Sequence, residues 1–135
     1  MDRGDQVRAV LARLVDGKTR WGAAVVSRDG MTVAARMARA VSDDSFSAMA
    51  AAMLGAAESA MQEWSDDRPQ RATVEGKTVR LTAVSLDNDF FLAVLAPVGA
   101  SPASSAIEVD AAAARLRAVL REPTVIFQET QETRR

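Results

Sequence analysis

Val7, Val10, Leu11, Leu14 and Val15 recur at the spacing of one helical face, which predicts a first helix over 5–15. Asp5 stands where an N-cap belongs and Gly17 where a helix stops. Residues 21–27 (WGAAVVS) are apolar at successive positions, so both faces of a strand there would be buried, the pattern of a central strand. Asp29-Gly30 follows, a pair that tolerates the left-handed backbone of a tight hairpin, and 31–37 reads as the returning strand. Ser42-Asp43-Asp44-Ser45 supplies caps for a long helix over 44–64, which would run about 30 Å and break before Pro69. Strands are predicted at 71–74, 78–86 and 90–96, turned by Glu75-Gly76 and Asp87-Asn88-Asp89. The last of them (FFLAVLA) is again apolar on both faces. A small-residue loop over 97–105 leads to a final helix over 107–120. Its apolar side is expected to hold Ile107, Val109, Ala113, Leu116, Val119 and Leu120, and Pro123 stops it.

The resulting order is α-β-β-α-β-β-β-α. Two antiparallel units in one short chain predict an α+β fold: a single five-stranded antiparallel sheet with helices on both faces. No repeat or linker divides it. One domain is expected over 1–123, followed by a tail, 124–135, that carries the apolar patch Thr124-Val125-Ile126-Phe127.

The long helix has two unlike sides. Phe46, Met49, Ala50, Met53, Leu54, Ala57, Met61 and Trp64 share one, and are expected to face the sheet. The other holds Ala48, Ala51, Ala52, Gly55, Ser59 and Gln62, almost all tiny. A solvent-facing helix side ordinarily carries Lys, Glu, Arg and Gln, and an interior Gly costs about 0.8–1.0 kcal/mol relative to Ala. Tiny residues at four-residue spacing allow a second helix to approach closely, most simply the same helix of a second copy across a two-fold axis. An Ala-rich chain with no such role is the bland alternative.

Composition narrows the chemistry. The 135 residues are 48% hydrophobic and 26% charged, enough to bury a core in one domain. A formal net charge of −1, with no Lys/Arg run beyond Arg134-Arg135, speaks against nucleic acid as a partner. There is no Cys and no His, which removes disulfides, zinc sites and every Ser-His or Cys-His device. No apolar run approaches the roughly 20 residues of a membrane span, and the charged start is not that of a signal peptide, so the cytoplasm is the expected location. The richness in Ala, Arg and Asp suggests a GC-rich prokaryotic genome.

Residues 12–19 loosely fit the phosphate-loop pattern that ends in Gly17-Lys18-Thr19. A functional phosphate loop follows a strand and opens a helix, whereas this segment ends a helix and enters a strand, lacks the leading Gly, and carries Asp16; a helix cap is the better reading. The acidic pairs Asp43-Asp44, Asp66-Asp67 and Asp87/Asp89 sit in expected caps and turns, where Asp is favoured for local hydrogen bonding. Ser27 and Ser85 lack the context of a nucleophile elbow. Trp21 and Trp64 are expected to anchor a core or an interface, and Phe90 and Phe91 to point to opposite faces.

Taken in order, several segments resemble the roadblock/dynein-light-chain family over about residues 5–120: the helix end Leu14-Val15-Asp16-Gly17, the hairpin Gly22-Ala23-Ala24-Val25-Val26-Ser27-Arg28-Asp29-Gly30-Met31-Thr32-Val33-Ala34-Ala35, the long Ala/Met/Gly helix, and the closing strand Phe91-Leu92-Ala93-Val94-Leu95. The resemblance implies a homodimer, or a heterodimer with a related chain. Pairing would run through the long helix and extend the sheet edge to edge, so that Arg71 and Thr73 join the tiny-residue face in the interface. It also implies a non-catalytic partner or regulator of a Ras-like small GTPase in a prokaryote, with no catalytic residue, cofactor or metal to carry over. GTPase activators often supply an arginine finger, for which Arg28, Arg36, Arg39 and Arg68 are the surface candidates. The competing expectation is a small-ligand sensor of profilin-like or PAS-like layout, which needs a concave pocket with convergent polar groups.

Overall fold

The computed structural model describes residues 2–99 and 102–122. The elements are α1 (Arg3–Leu14), β1 (Gly22–Ser27), β2 (Thr32–Met37), α2 (Asp43–Gln62), β3 (Arg71–Glu75), β4 (Val79–Ser85), β5 (Phe90–Pro97) and α3 (Pro102–Arg121). The strands form one antiparallel sheet in the order β2-β1-β5-β4-β3. The α+β order expected from the sequence is the order observed. The tail and its apolar patch lie outside the described residues.

The two most apolar strands, β1 and β5, lie side by side near the centre, with Val25 opposite Leu92 and Val26 opposite Phe91. Alternate residues feed two cores. On one face α1 and α3 pack together over Val25, Leu92 and Val94, contributing Val7, Leu11, Leu14, Val109, Leu116 and Val119. On the other face, among the described residues, α2 alone covers Ala24, Val26, Ala83, Phe91 and Ala93 with Phe46, Ala50 and Leu54. Phe90 borders the first core and Phe91 is sealed in the second, so the pair does split between faces.

Helix ends differ from expectation where a nearer cap exists. Asp2, not Asp5, caps α1: its carboxylate accepts the Asp5 N–H at 2.7 Å, and Asp5 becomes the acidic first-turn residue. Ser42 caps α2, with Asp43 and Asp44 in the first turn, where carboxylates oppose the positive end of the helix dipole. α3 begins at Pro102, inside the predicted loop, because Pro is pre-set for a first helical turn. Ile107, expected on its buried side, is 69% exposed. Gly17 (φ 80°) turns the chain just after α1, and Gly30 (φ 93°) closes the β1–β2 hairpin, both in the left-handed region that only Gly enters freely.

Candidate interaction surface

The sheet-facing side of α2 is not the one with the largest residues. Phe46, Ser47, Ala50 and Leu54 are buried, and Ala51, Met53, Ala57, Glu58 and Met61 partly so. Met49 and Trp64, both expected in the core, are 68% and 92% exposed. The cause is the strands beneath. Their α2-facing side is lined largely by Ala24, Ala35, Ala72, Ala83 and Ala93, and Gly30 lies against the helix, where an added Cβ would come within 3.5 Å of the Ala48 backbone and 3.6 Å of the Ala51 side chain. A helix lying this close turns its small Ser47 and Ala50 inward and its bulky Met49 outward. Ser47 is satisfied there by the Thr32 hydroxyl at 2.6 Å, which a register shift between Val25 and Val26 brings onto that face.

The outward side of α2 is therefore a strip of Ala48, Met49, Ala52, Gly55, Ala56, Ser59, Ala60 and Gln62, all exposed. The helix carries one charge between Asp44 and its end, Glu58, and that side chain is turned to the flank of the strip and held by Arg28 at 3.1 Å. A Cβ built on Gly55 meets nothing within 4 Å. Among the described residues no neighbour requires glycine at that position.

The predicted interface residues fall in three places. Ala48, Ala52, Gly55, Ser59 and Gln62 share the exposed strip. Ala51 does not belong with them, since it packs against the α2-side core beside Gly30. Arg71 and Thr73 are exposed on β3, which is indeed an edge strand. Their side chains nevertheless project on the α3 side of the sheet: Arg71 pairs with Asp110 of α3, and Thr73 lies 3.5 Å from Thr82. The β3 residues facing the α2 side are Ala72 and Val74, and Val74 is 55% exposed. Val74 was not among the expected interface residues and Met49 was expected in the core; strand parity and the closeness of α2 decide both.

At the hairpin end of α2, Arg28 joins three elements. Its guanidinium donates to Glu58 at 3.1 Å, to the Ser85 hydroxyl at 3.0 Å and to the Asp87 carbonyl at 3.3 Å, while its buried Nε has no partner among the described residues. Arg68 approaches the same Glu58 at 4.0 Å. Arg28 is thus a fastener and not a free finger. Arg39 lies over the Trp21 ring, 4.4 Å from its centroid. Arg36 and Arg68 are the exposed candidates that remain.

The loop-like segment 12–19 is a cap. Asp16 accepts the N–H groups of Lys18, Thr19 and Arg20 at 2.9, 2.8 and 3.0 Å, and the Thr19 hydroxyl. Burial works against its charge, but the Thr19 hydroxyl and the backbone N–H groups of Arg20, Lys18 and Thr19 outweigh it and hold the carboxyl well below the usual carboxylate range. The buried Arg20 closes the same corner, reaching the Leu14 carbonyl and Glu108 of α3. Asp87 likewise accepts the Asp89 and Phe90 N–H groups at 2.8 Å each, a turn and not a ligand set. Among the described residues no cluster of three or more Asp or Glu could hold a metal ion, and no helix is long and apolar enough to cross a membrane.

Cavities lie among these features. One of 210 Å³ sits between α1 and α3 over Arg20 and Glu108, one of 330 Å³ lies beside Arg71, Glu75 and Arg80, and one of 130 Å³ lies beside Arg28, Gly55 and Glu58. The charges named in each are already paired with one another or with a neighbouring side chain.

Comparison with known proteins bears on the family and the fold. The family model for the Roadblock/LC7 domain matches residues 6–96. A Roadblock/LC7 domain from Streptomyces avermitilis superposes with a TM-score of 0.77 at 22% identity, covering 85% of this chain and 98% of that one. MglB of Myxococcus xanthus superposes with a TM-score of 0.82 at 14% identity, covering 92% and 96%. A profilin of Schizosaccharomyces pombe shares the fold more distantly, with a TM-score of 0.57 at 20% identity, covering 83% and 97%. No curated protein matches the chain.

Proposed function

Because this chain belongs to the Roadblock/LC7 domain family, matched over 6–96, we propose that it is a homodimeric module that binds a small Ras-like GTPase in a prokaryotic cytoplasm and regulates or scaffolds it. The family is one of non-catalytic interaction modules. The pairing surface is the outward strip of α2, centred on Ala52, Gly55 and Ser59, together with the edge of β3. The GTPase role follows from the family resemblance, and the pairing surface from this chain's own residues.

One observation carries the pairing. Gly55 sits inside a 20-residue helix, where Gly costs about 0.8–1.0 kcal/mol relative to Ala, and beyond its own helical backbone no atom of the described residues stands within 4 Å of the missing Cβ. Packing among the described residues does not call for it. A second helix crossing at this point does, because without a Cβ the two backbones approach more closely. The uncharged surroundings agree, since charged residues are depleted at the centre of protein interfaces.

A partner GTPase would be held against the paired modules with its switch segments constrained. Arg28 is committed to Glu58 and Ser85, so the proposal does not depend on an arginine finger from that position. Binding is tested by mixing the protein with a prokaryotic Ras-like GTPase loaded with GDP or with a non-hydrolysable GTP analogue, followed by size-exclusion chromatography. Co-elution that depends on the nucleotide is expected. Failure to co-elute in either state, across the small GTPases of the source genome, contradicts the GTPase reading.

A further inference from the structure

The open edge of the sheet carries a self-complementary sequence. β3 reads Arg71-Ala72-Thr73-Val74-Glu75. About Thr73 it has a cation two residues one way, an anion two residues the other way, and one apolar residue on each side. β3 bonds to β4 through its even-numbered residues: the Ser85 N–H donates to the Gln70 carbonyl at 2.9 Å, and the Gly76 N–H to the Val79 carbonyl at 2.8 Å. Bonding alternates along an antiparallel strand, so the backbone groups of Arg71, Thr73 and Glu75 point away from the sheet. Among the described residues no strand lies beyond them.

We propose that a second copy of this chain pairs with β3 in an antiparallel register centred on Thr73, with Arg71 of each copy opposite Glu75 of the other. This rests on the homodimer reading and fixes the register that reading leaves open. A two-fold axis perpendicular to the sheet keeps each face with its like, so odd-numbered residues oppose odd-numbered ones. Within β3 the centre then falls on Ala72, Thr73 or Val74. Centring on Ala72 sets Pro69, which has no N–H to give, against Glu75 and the amide of Gln70 against Val74. Centring on Val74 sets Arg71 against Lys77, two like charges directly opposed, which destabilises a strand pair. Centring on Thr73 gives two opposite-charge pairs, two Ala72–Val74 contacts and Thr73 against itself.

The charges beside the seam extend the match. Arg71 already pairs with Asp110, and Glu75 with Arg80 at 3.0 Å. In the proposed register Asp110 and Arg71 of one copy run into Glu75 and Arg80 of the other, an unbroken alternation of sign repeated twice across the axis. On the opposite face of the sheet, Val74 gains the cover of Ala72 from the second copy. That is the α2 side, so the strand seam and the helix strip form one continuous surface.

Because the chain contains no Cys, the register is read by placing one. In a hydrogen-bonded antiparallel pair opposed Cα atoms stand about 5.5 Å apart, inside the range of about 4.4–6.8 Å that a disulfide spans. Ala72→Cys, Thr73→Cys and Val74→Cys are oxidised mildly and run on a non-reducing gel. Thr73→Cys is expected to link into dimers at least about tenfold faster than the other two, since only its thiols meet within that span. Arg71→Glu and Glu75→Arg are each expected to weaken self-association, and a refolded mixture of the two to form heterodimers, in which both opposite-charge pairs return. Fastest linking at Ala72 or Val74, or no linking in a protein that light scattering shows to be dimeric, overturns the register alone. A wild-type chain that stays monomeric overturns the homodimer reading itself and this register with it.

Discussion

Asp16 shows how one residue can look like catalytic machinery and be architecture. It receives three backbone N–H groups and one hydroxyl at the turn that carries α1 into β1. Its carboxyl is held below the ordinary value of 3.8 in the folded chain. A depressed pKa contributes stability that is fully present above the unfolded value and is lost as pH falls through the folded one. Asp16→Asn should therefore lower stability at pH 7, and the variant should lose less than the wild type does when the pH is taken from 5 to below the unfolded value. Urea melts at several pH values check this; parallel curves for the two proteins would contradict it. The segment's likeness to a phosphate loop was resolvable from sequence, because what it follows and what it opens are the wrong elements.

Element by element, what the chain's pattern reveals depends on whether apolarity or size decides the packing. β1 and β5 were legible as central strands because runs such as Val25-Val26 and Phe91-Leu92 leave no polar side. The caps at Ser42 and the turn at Gly30 were legible from residue type alone. The buried side of α2 was not, because hydrophobicity ranks Met49 above Ser47 while the Ala-lined sheet admits only the smaller residue at close range. Glu58 was likewise unremarkable until the hairpin brought Arg28 to it. That contact ties the β1–β2 turn, α2 and the β4–β5 turn together. Hydrogen bonds to charged groups contribute about 1.5–3 kcal/mol, so Arg28→Ala should destabilise the fold by about that amount, with Arg28→Lys recovering part of it. Thermal melts read the difference. An Arg28→Ala protein with an unchanged melting temperature would show that the fastener carries no load.

At the scale of the whole molecule, the two faces of the sheet are covered unequally. Among the described residues α1 and α3 seal one side between them, while α2 alone covers the other and presents an uncharged outer strip, with Met49 and then Trp64 exposed near its ends and Val74 exposed on β3. A chain that is 26% charged overall leaves this one strip without charge, which is the pattern of a surface that meets another protein. Shared architecture with a profilin shows that the fold by itself does not choose a role; the proposed pairing rests on the strip and the edge strand, and the proposed GTPase role on the family match. The most direct measurement is the molar mass in solution by light scattering, for the wild type, Gly55→Ala and Gly55→Leu. A wild-type dimer, a weakened dimer for Gly55→Ala and a folded monomer for Gly55→Leu are expected, since among the described residues a Cβ at position 55 meets open space. A wild-type monomer at high concentration, or a Gly55→Leu dimer as tight as the wild type, would contradict the proposed pairing.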